Sequence, residues 1–212
     1  MVVAQTPTTS LRLADGRSLD LWADETPGAE ILTPLVFHSG TPSSGYGYDV
    51  FAAAARERGL RMVGWSRPGY GSSTRQPGRR VRDIVGDTAT VLDHVGAEGA
   101  YVAGHSGGGP HALACAALMP DRVLGTALIS GFAPFEAEGL DFLDGMGPEN
   151  HEEFAAALAG EGGHDRMVPF AHGQWLAAHL GNPCLHLHEE HGHMSLAVAG
   201  LPAILDSLVA NT

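Results

Sequence analysis

The sequence predicts an α/β fold, a mostly parallel sheet flanked by helices, and three observations carry that prediction. Short continuous apolar runs alternate with helical patterns through the first two thirds of the chain, as they do in βαβ units. The runs at 35–38, 60–65, 101–105 and 123–129 show no polar alternation, which is the mark of strands buried on both faces. The run at 101–105 leads through Gly104-His105-Ser106-Gly107-Gly108-Gly109-Pro110 straight into an alanine-rich segment. That is a strand, a tight turn and a helix in ten residues.

Taken in order, Leu11–Ala14 and Ser18–Trp22 alternate around Asp15-Gly16 and predict a hairpin. Leu35–His38 is a buried strand ending in the turn-rich Ser39-Gly40-Thr41-Pro42. Residues 47–58 predict a helix stopped by Gly59, and Leu60–Trp65 the next strand. From Val81 to Val95, residues Val81, Ile84, Val85, Thr88, Val91, Leu92 and Val95 fall on one helical stripe. The helix over 110–119 ends at Pro120, and Val123–Ile129 is another buried strand. Beyond Gly131 the pattern changes: apolar residues are scattered among acids and glycines, with a helix predicted over 149–159. Helices at 169–180 and 195–209 bracket a last strand over 184–188. No repeat or linker divides the 212 residues, so a single domain is expected, with 132–164 as a flap.

Composition narrows the function. The net charge is −12 and every basic residue is arginine, so lysine Schiff-base chemistry and a phosphate-binding lysine are excluded. So acidic a surface argues against nucleic acid and anionic membranes as partners. No apolar run approaches the ~20 residues that span a bilayer. The first ten residues lack a basic leader, and Cys115 and Cys184 both lie in apolar segments. A cytoplasmic protein with reduced, buried thiols is therefore expected. His186, His188, His191 and His193 crowd together, but no cysteine or carboxylate set completes a metal-ligand spacing. Neither metal nor cofactor is expected.

Gly104, Ser106 and Gly108 fill the pattern G-x-S-x-G. A serine on a sharp strand-to-helix turn presents its hydroxyl at the carboxyl edge of the sheet, and side chains two residues away would collide. Ser106 is thus the candidate nucleophile, and the amide of Gly107 a candidate oxyanion donor. Its base must titrate near neutrality, which points to histidine, and a carboxylate must then fix the imidazole.

Four motifs, HSGTP at 38–42, GWSRPGYGSS at 64–73, GHSGGG at 104–109 and GHDRMVP at 163–169 with EEHGHMSL at 189–196, resemble the α/β-hydrolase superfamily. The resemblance covers roughly 10–131 and 163–210, and is nearest to bacterial esterase-like and proline-iminopeptidase-like members. The chain order in that superfamily, nucleophile, acid, histidine, implies Ser106, Asp165 and His193. His191 is a rival in the same loop, and the Gly-His-x-Ser pattern favours His193. The resemblance also implies Thr41 as the second oxyanion donor. Only about 35 residues separate Ile129 from Asp165, with no strand pattern among them, so the lid is expected to be cut down and one strand absent. Phe132, Phe135, Leu140 and Phe142 are expected to contact substrate. The reading is a serine hydrolase acting on a small ester or related acyl substrate, with a homo-oligomer possible. The alternative is a degenerate relative that only binds or scaffolds. Aminopeptidase action would use the flap acids Glu136, Glu138, Asp141 and Asp144 to hold an amine.

Overall fold

A computed structural model describes residues 9–45, 49–148, 151, 170–180 and 193–210. The fold is α/β. Six strands form one sheet in the order β1-β2-β4-β3-β5-β6: β1 Thr9–Arg12, β2 Ser18–Ala23, β3 Thr33–His38, β4 Leu60–Trp65, β5 Ala100–His105 and β6 Val123–Ile129. The last four run parallel, and only the hairpin strands are antiparallel. Asp15-Gly16 closes that hairpin as expected, with Gly16 at φ 88°.

Two apolar layers cover the sheet. On one face Leu35, Phe37, Leu60 and Met62 pack with helix α1 (Asp49–Arg56) and with the final helix, through Phe51, Leu201 and Leu205. On the other face Val36, Val63 and Val102 meet α2 (Ile84–His94) and α3 (Gly109–Leu118), through Ile84, Val91, Leu92, Ala112 and Cys115. Alternate residues of each central strand therefore serve opposite cores, which is why these runs read as unbroken apolar sequence. Cys115 is a buried free cysteine, and burial pushes its thiol up to about 11, so it is a packing residue. Cys184 lies outside the described residues.

Several expectations shift in detail. Val81 leaves the predicted stripe: residues Val81–Asp83 form a tighter 3-10 turn, and Val81 is exposed. The predicted C-terminal helix is two helices, α5 (His193–Ala199) and α6 (Leu201–Ala210), broken at Gly200. Pro202, which has no amide proton to donate back to Val198, accounts for the break. Between β6 and α4 (Phe170–His179) the described residues 130–148 form turns and no strand. The predicted strand at 184–188 and nearly all of the predicted helix at 149–159 lie outside the described residues. No helix among the described residues is long and apolar enough to cross a membrane.

The sheet order decides where a site can form. From β3 the chain steps to β4 on one side, then crosses back to β5 on the other. Ligands of such sheets bind beyond the carboxyl ends of the strands where successive connections leave in opposite directions, which are β3 and β5 here. His38 pairs with Gly104 across these two strands, so the residues just after them, 39–41 and 106–108, are brought together.

Candidate active site

Ser106 has φ 52°, in the left-handed region that a side chain ordinarily avoids. The backbone is held there by close packing that only glycine permits. A Cβ at Gly104 would fall 2.5 Å from the Gly108 carbonyl oxygen, and one at Gly108 would fall 2.0 Å from that of His38. One at Gly109 would lie 2.9 Å from the Cα of Gly131, where the flap begins. Each glycine of the motif is therefore a backbone-to-backbone contact, and together these contacts explain the strained turn.

The loop after β3 meets the turn from the other side. A Cβ on Gly40 would stand 3.2 Å from the Cβ of Ser106, and one on Gly107 would stand 2.5 Å from Thr41 Oγ1 and 3.3 Å from the Thr41 nitrogen. Ser106, Gly107 and Thr41 are thus brought together, and Thr41 itself is exposed. Two hydroxyls at this edge, Ser39 Oγ and Ser106 Oγ, are buried without a hydrogen-bond partner among the described residues. A buried hydroxyl left unpaired costs about 1–3 kcal/mol, and sites that store such a cost tend to be functional.

Of the remaining candidates, Asp165 lies outside the described residues. His193 lies within α5, not in a loop as expected, and only its place in the backbone is described. The rival His191, with His186 and His188, lies outside the described residues. Among the described residues no cluster of three potential metal ligands occurs.

Of the four flap residues expected to contact substrate, three form an aromatic cluster. Phe142 stacks on Phe132 at 5.9 Å and tilts against Phe135 at 4.9 Å. A residue the sequence did not single out, His172 of α4, completes it. Its ring lies edge-on to Phe142 at 4.7 Å, Nδ1 accepts from the Ala133 amide at 3.2 Å, and Nε2 donates to the Phe142 carbonyl at 2.9 Å. Trp175 Nε1 adds a bond to the Glu138 carbonyl at 2.9 Å. The flap is thereby tied to α4. Leu140 is half-buried, and Phe135 is 45% exposed at the rim. A lone histidine in a helix carries no sequence signal for this role.

Three more groups stand behind the turn. His38, the last residue of β3, is fully buried among Trp65, His111 and Cys115, and burial holds its pKa well below the ordinary histidine value. It is neutral packing, and no proton shuttle. His111, five residues after Ser106, sets Nδ1 2.9 Å from the Gly107 carbonyl and Nε2 3.2 Å from Arg79 Nη1. The guanidinium can only donate, so Nδ1 carries the proton and donates to Gly107. Arg67 lies buried against the loop at 39–41. Arg67 belongs to the motif at 64–73 and His111 lies two residues beyond that at 104–109, but nothing local shows that their side chains turn inward.

The buried imidazoles make acid stability predictable. Burial, with the charge of Arg67 next, pushes His111 down to about 4. The unfolded chain takes up that proton near 6.5, so between these values the unfolded state binds more protons and stability falls as pH falls. The loss from His111 amounts to about 3 kcal/mol once pH is below 4, and His38 acts in the same direction. Urea unfolding at pH 7, 5.5 and 4.5 should show this slope, and His111→Gln should flatten it. An equal slope in the variant would remove His111 as a source.

The chain matches the family model described as the alpha/beta hydrolase fold over residues 33–189. It is 35% identical over 152 residues to epoxide hydrolase B of Mycobacterium tuberculosis, covering 69% of this chain and 42% of that protein. It is 32% identical over 126 residues to a bifunctional esterase/perhydrolase of Acinetobacter calcoaceticus, covering 58% of this chain and 46% of that one. The chain thus spans less than half the length of these curated relatives. In fold it is similar to an esterase from Exiguobacterium antarcticum, with a TM-score of 0.67 at 16% identity, covering 96% of this chain and 98% of that one. Strand order, glycine-packed serine turn and family match agree, and the chain belongs to the α/β-hydrolase family.

Proposed function

We propose that the protein is a serine hydrolase that cleaves a small ester or related acyl substrate through an acyl-enzyme. The observation that carries this reading is the strained, buried Ser106 packed against Gly40, with its neighbour Gly107 against Thr41, beyond the carboxyl ends of β3 and β5. In this reading Ser106 attacks the acyl carbonyl, His193 takes its proton and returns it to the leaving alcohol, and Asp165 orients the imidazole. The amides of Gly107 and Thr41 hold the oxyanion. The acyl group sits toward the flap aromatics, with Phe135 at the rim. No metal or cofactor takes part.

The identity of the nucleophile weighs against one activity found among the relatives. Serine opening an epoxide would leave an ether, which water does not release, whereas an acyl-serine is an ester that water hydrolyses. Turnover with serine at the turn therefore favours acyl chemistry. The competing reading is a degenerate binding domain, favoured by the absence of a strand among residues 130–148.

A fluorophosphonate probe separates the two. Labelling mapped by mass spectrometry to Ser106, together with hydrolysis of p-nitrophenyl butyrate, is the expected result. His193→Ala should lose nearly as much activity as loss of the serine, since members of a triad act as a unit, while His191→Ala should lose little. The reverse ranking would move the base to His191. Absence of both labelling and turnover in the wild-type protein would favour the binding reading.

A further inference from the structure

We infer that Arg67 is the positioning residue of the oxyanion site, a buried cation that turns the amides of the 39–41 loop toward the reacting carbonyl. The inference rests on the serine-hydrolase reading above and assigns a part that the triad and the two amide donors do not include.

Arg67 follows β4 and is only 3% exposed. Nη1 donates to the Ser39 carbonyl, while Nη2 donates to the Gly40 carbonyl at 3.2 Å and to Thr41 Oγ1 at 3.3 Å. One guanidinium thus holds three successive residues of the loop, which its planar fork permits and a point charge does not. Among the described residues its charge meets no carboxylate. The ring of Tyr70 lies 5.2 Å from the guanidinium carbon. Leaving a buried cation without a counter-ion is costly, and the acceptors that compensate it here are the loop carbonyls.

The anchor behind Arg67 is rigid. Ser73 Oγ donates to the Ser66 carbonyl at 2.6 Å and accepts from the Asp20 amide at 2.9 Å. The Asp20 carboxylate accepts from the Ser72 amide, and a Cβ on Gly71 would come within 2.6 Å of that carboxylate. Ser66 Oγ accepts from the Gly45 amide at 3.1 Å. The segment at 66–73 is therefore pinned to β2 and to the far end of the loop that Arg67 grips.

Peptide planarity turns this grip into a function. In a trans peptide the carbonyl and the following N–H point in opposite directions. Holding the Gly40 carbonyl on Arg67 directs the Thr41 amide away from the guanidinium, toward Gly107. The Thr41 nitrogen is indeed 3.3 Å from where a Gly107 Cβ would sit. A carbonyl polarised by a cation also makes its own peptide N–H a stronger donor. Both effects grow in importance as negative charge develops on the substrate oxygen, so they act on the transition state more than on bound substrate.

The test compares Arg67→Met and Arg67→Lys with wild type on p-nitrophenyl butyrate. It also compares affinities for a trifluoromethyl ketone, which forms a tetrahedral adduct, and for a non-reactive ketone of the same shape. Arg67→Met should lower kcat by ~10²–10³, the usual cost of losing one oxyanion donor, with KM within about twofold by the same reasoning. Trifluoromethyl-ketone affinity should fall in parallel while the non-reactive ketone binds as before. Arg67→Lys keeps the charge without the fork and should recover about a tenth of wild-type kcat, within a factor of a few. It also reads the effect if the methionine variant fails to fold. Wild-type kcat in either folded variant would overturn the inference, as would equal losses for both ketones. If wild-type Ser106 does not react with the fluorophosphonate probe, the serine-hydrolase reading falls and this inference with it. If wild type reacts and Arg67→Met reacts at the same rate, the Arg67 inference alone fails.

Discussion

Ser106→Ala is expected to abolish ester hydrolysis and probe labelling while leaving the fold intact. The expectation starts from the backbone. The turn at φ 52° is held by contacts of Gly104, Gly108 and Gly109 with Gly108, His38 and Gly131, and none involves the serine hydroxyl. Alanine can occupy the same conformation at the same steric cost, so the elbow should persist. It also removes a hydroxyl that is buried without a partner among the described residues, which argues against any loss of stability. The chemistry should suffer fully, since removing a triad serine alone costs ~10⁶ in turnover in a well-studied serine protease. Circular dichroism, melting temperature and p-nitrophenyl butyrate turnover would be measured side by side. A folded variant with most of the wild-type rate would show that the acyl group never resides on Ser106.

Asp165→Asn should give the second-largest loss, about 10⁴ in turnover, with probe access to Ser106 unchanged. That is the cost of leaving a catalytic imidazole in the wrong tautomer. The flap offers competing carboxylates, and their surroundings argue against them. Asp141 Oδ1 accepts from the Leu143 amide at 3.2 Å, a local turn bond, and both Asp141 and Asp144 are exposed. Exposed carboxylates are poorly fixed and well solvated, so neither suits an orienting role. Turnover of Asp165→Asn, Asp141→Asn and Asp144→Asn would be compared under one condition. A nearly silent Asp165→Asn beside a crippled flap variant would move the acid to the flap. If none of the three matters, the triad reading loses its acid.

The elements of the first 130 residues were legible because each is specified locally. Apolar runs such as Leu60–Trp65 and Val123–Ile129 are the observed strands to the residue; the first is buried on both faces as expected, whereas the second is fully buried only at Ala127 and Ile129 and leaves Leu124 exposed. The serine turn was equally legible, because its glycines are required within a few residues of Ser106. Expectations weakened where a neighbour distant in sequence decides the outcome. Val81 fits the helical stripe, but a 3-10 turn exposes it before the helix begins. His193 was placed in a loop, yet it lies within α5, and local pattern locates helix ends poorly.

Sequence alone thus determined the fold class, the strands β3 and β5 and the serine turn with its glycines. All of these follow from period, burial pattern and backbone sterics over short stretches. The tertiary structure decided which buried polar groups stand behind that serine. His38 ends β3 with its imidazole buried and neutral, whereas Arg67 turns inward and grips the loop at 39–41. His172 fastens a flap whose aromatics the sequence could only enumerate. The physical reason is the same in each case. The cost of burying a charge or an imidazole, and the acceptors that offset it, belong to neighbours supplied by other strands and helices, and these become neighbours only when the sheet is assembled.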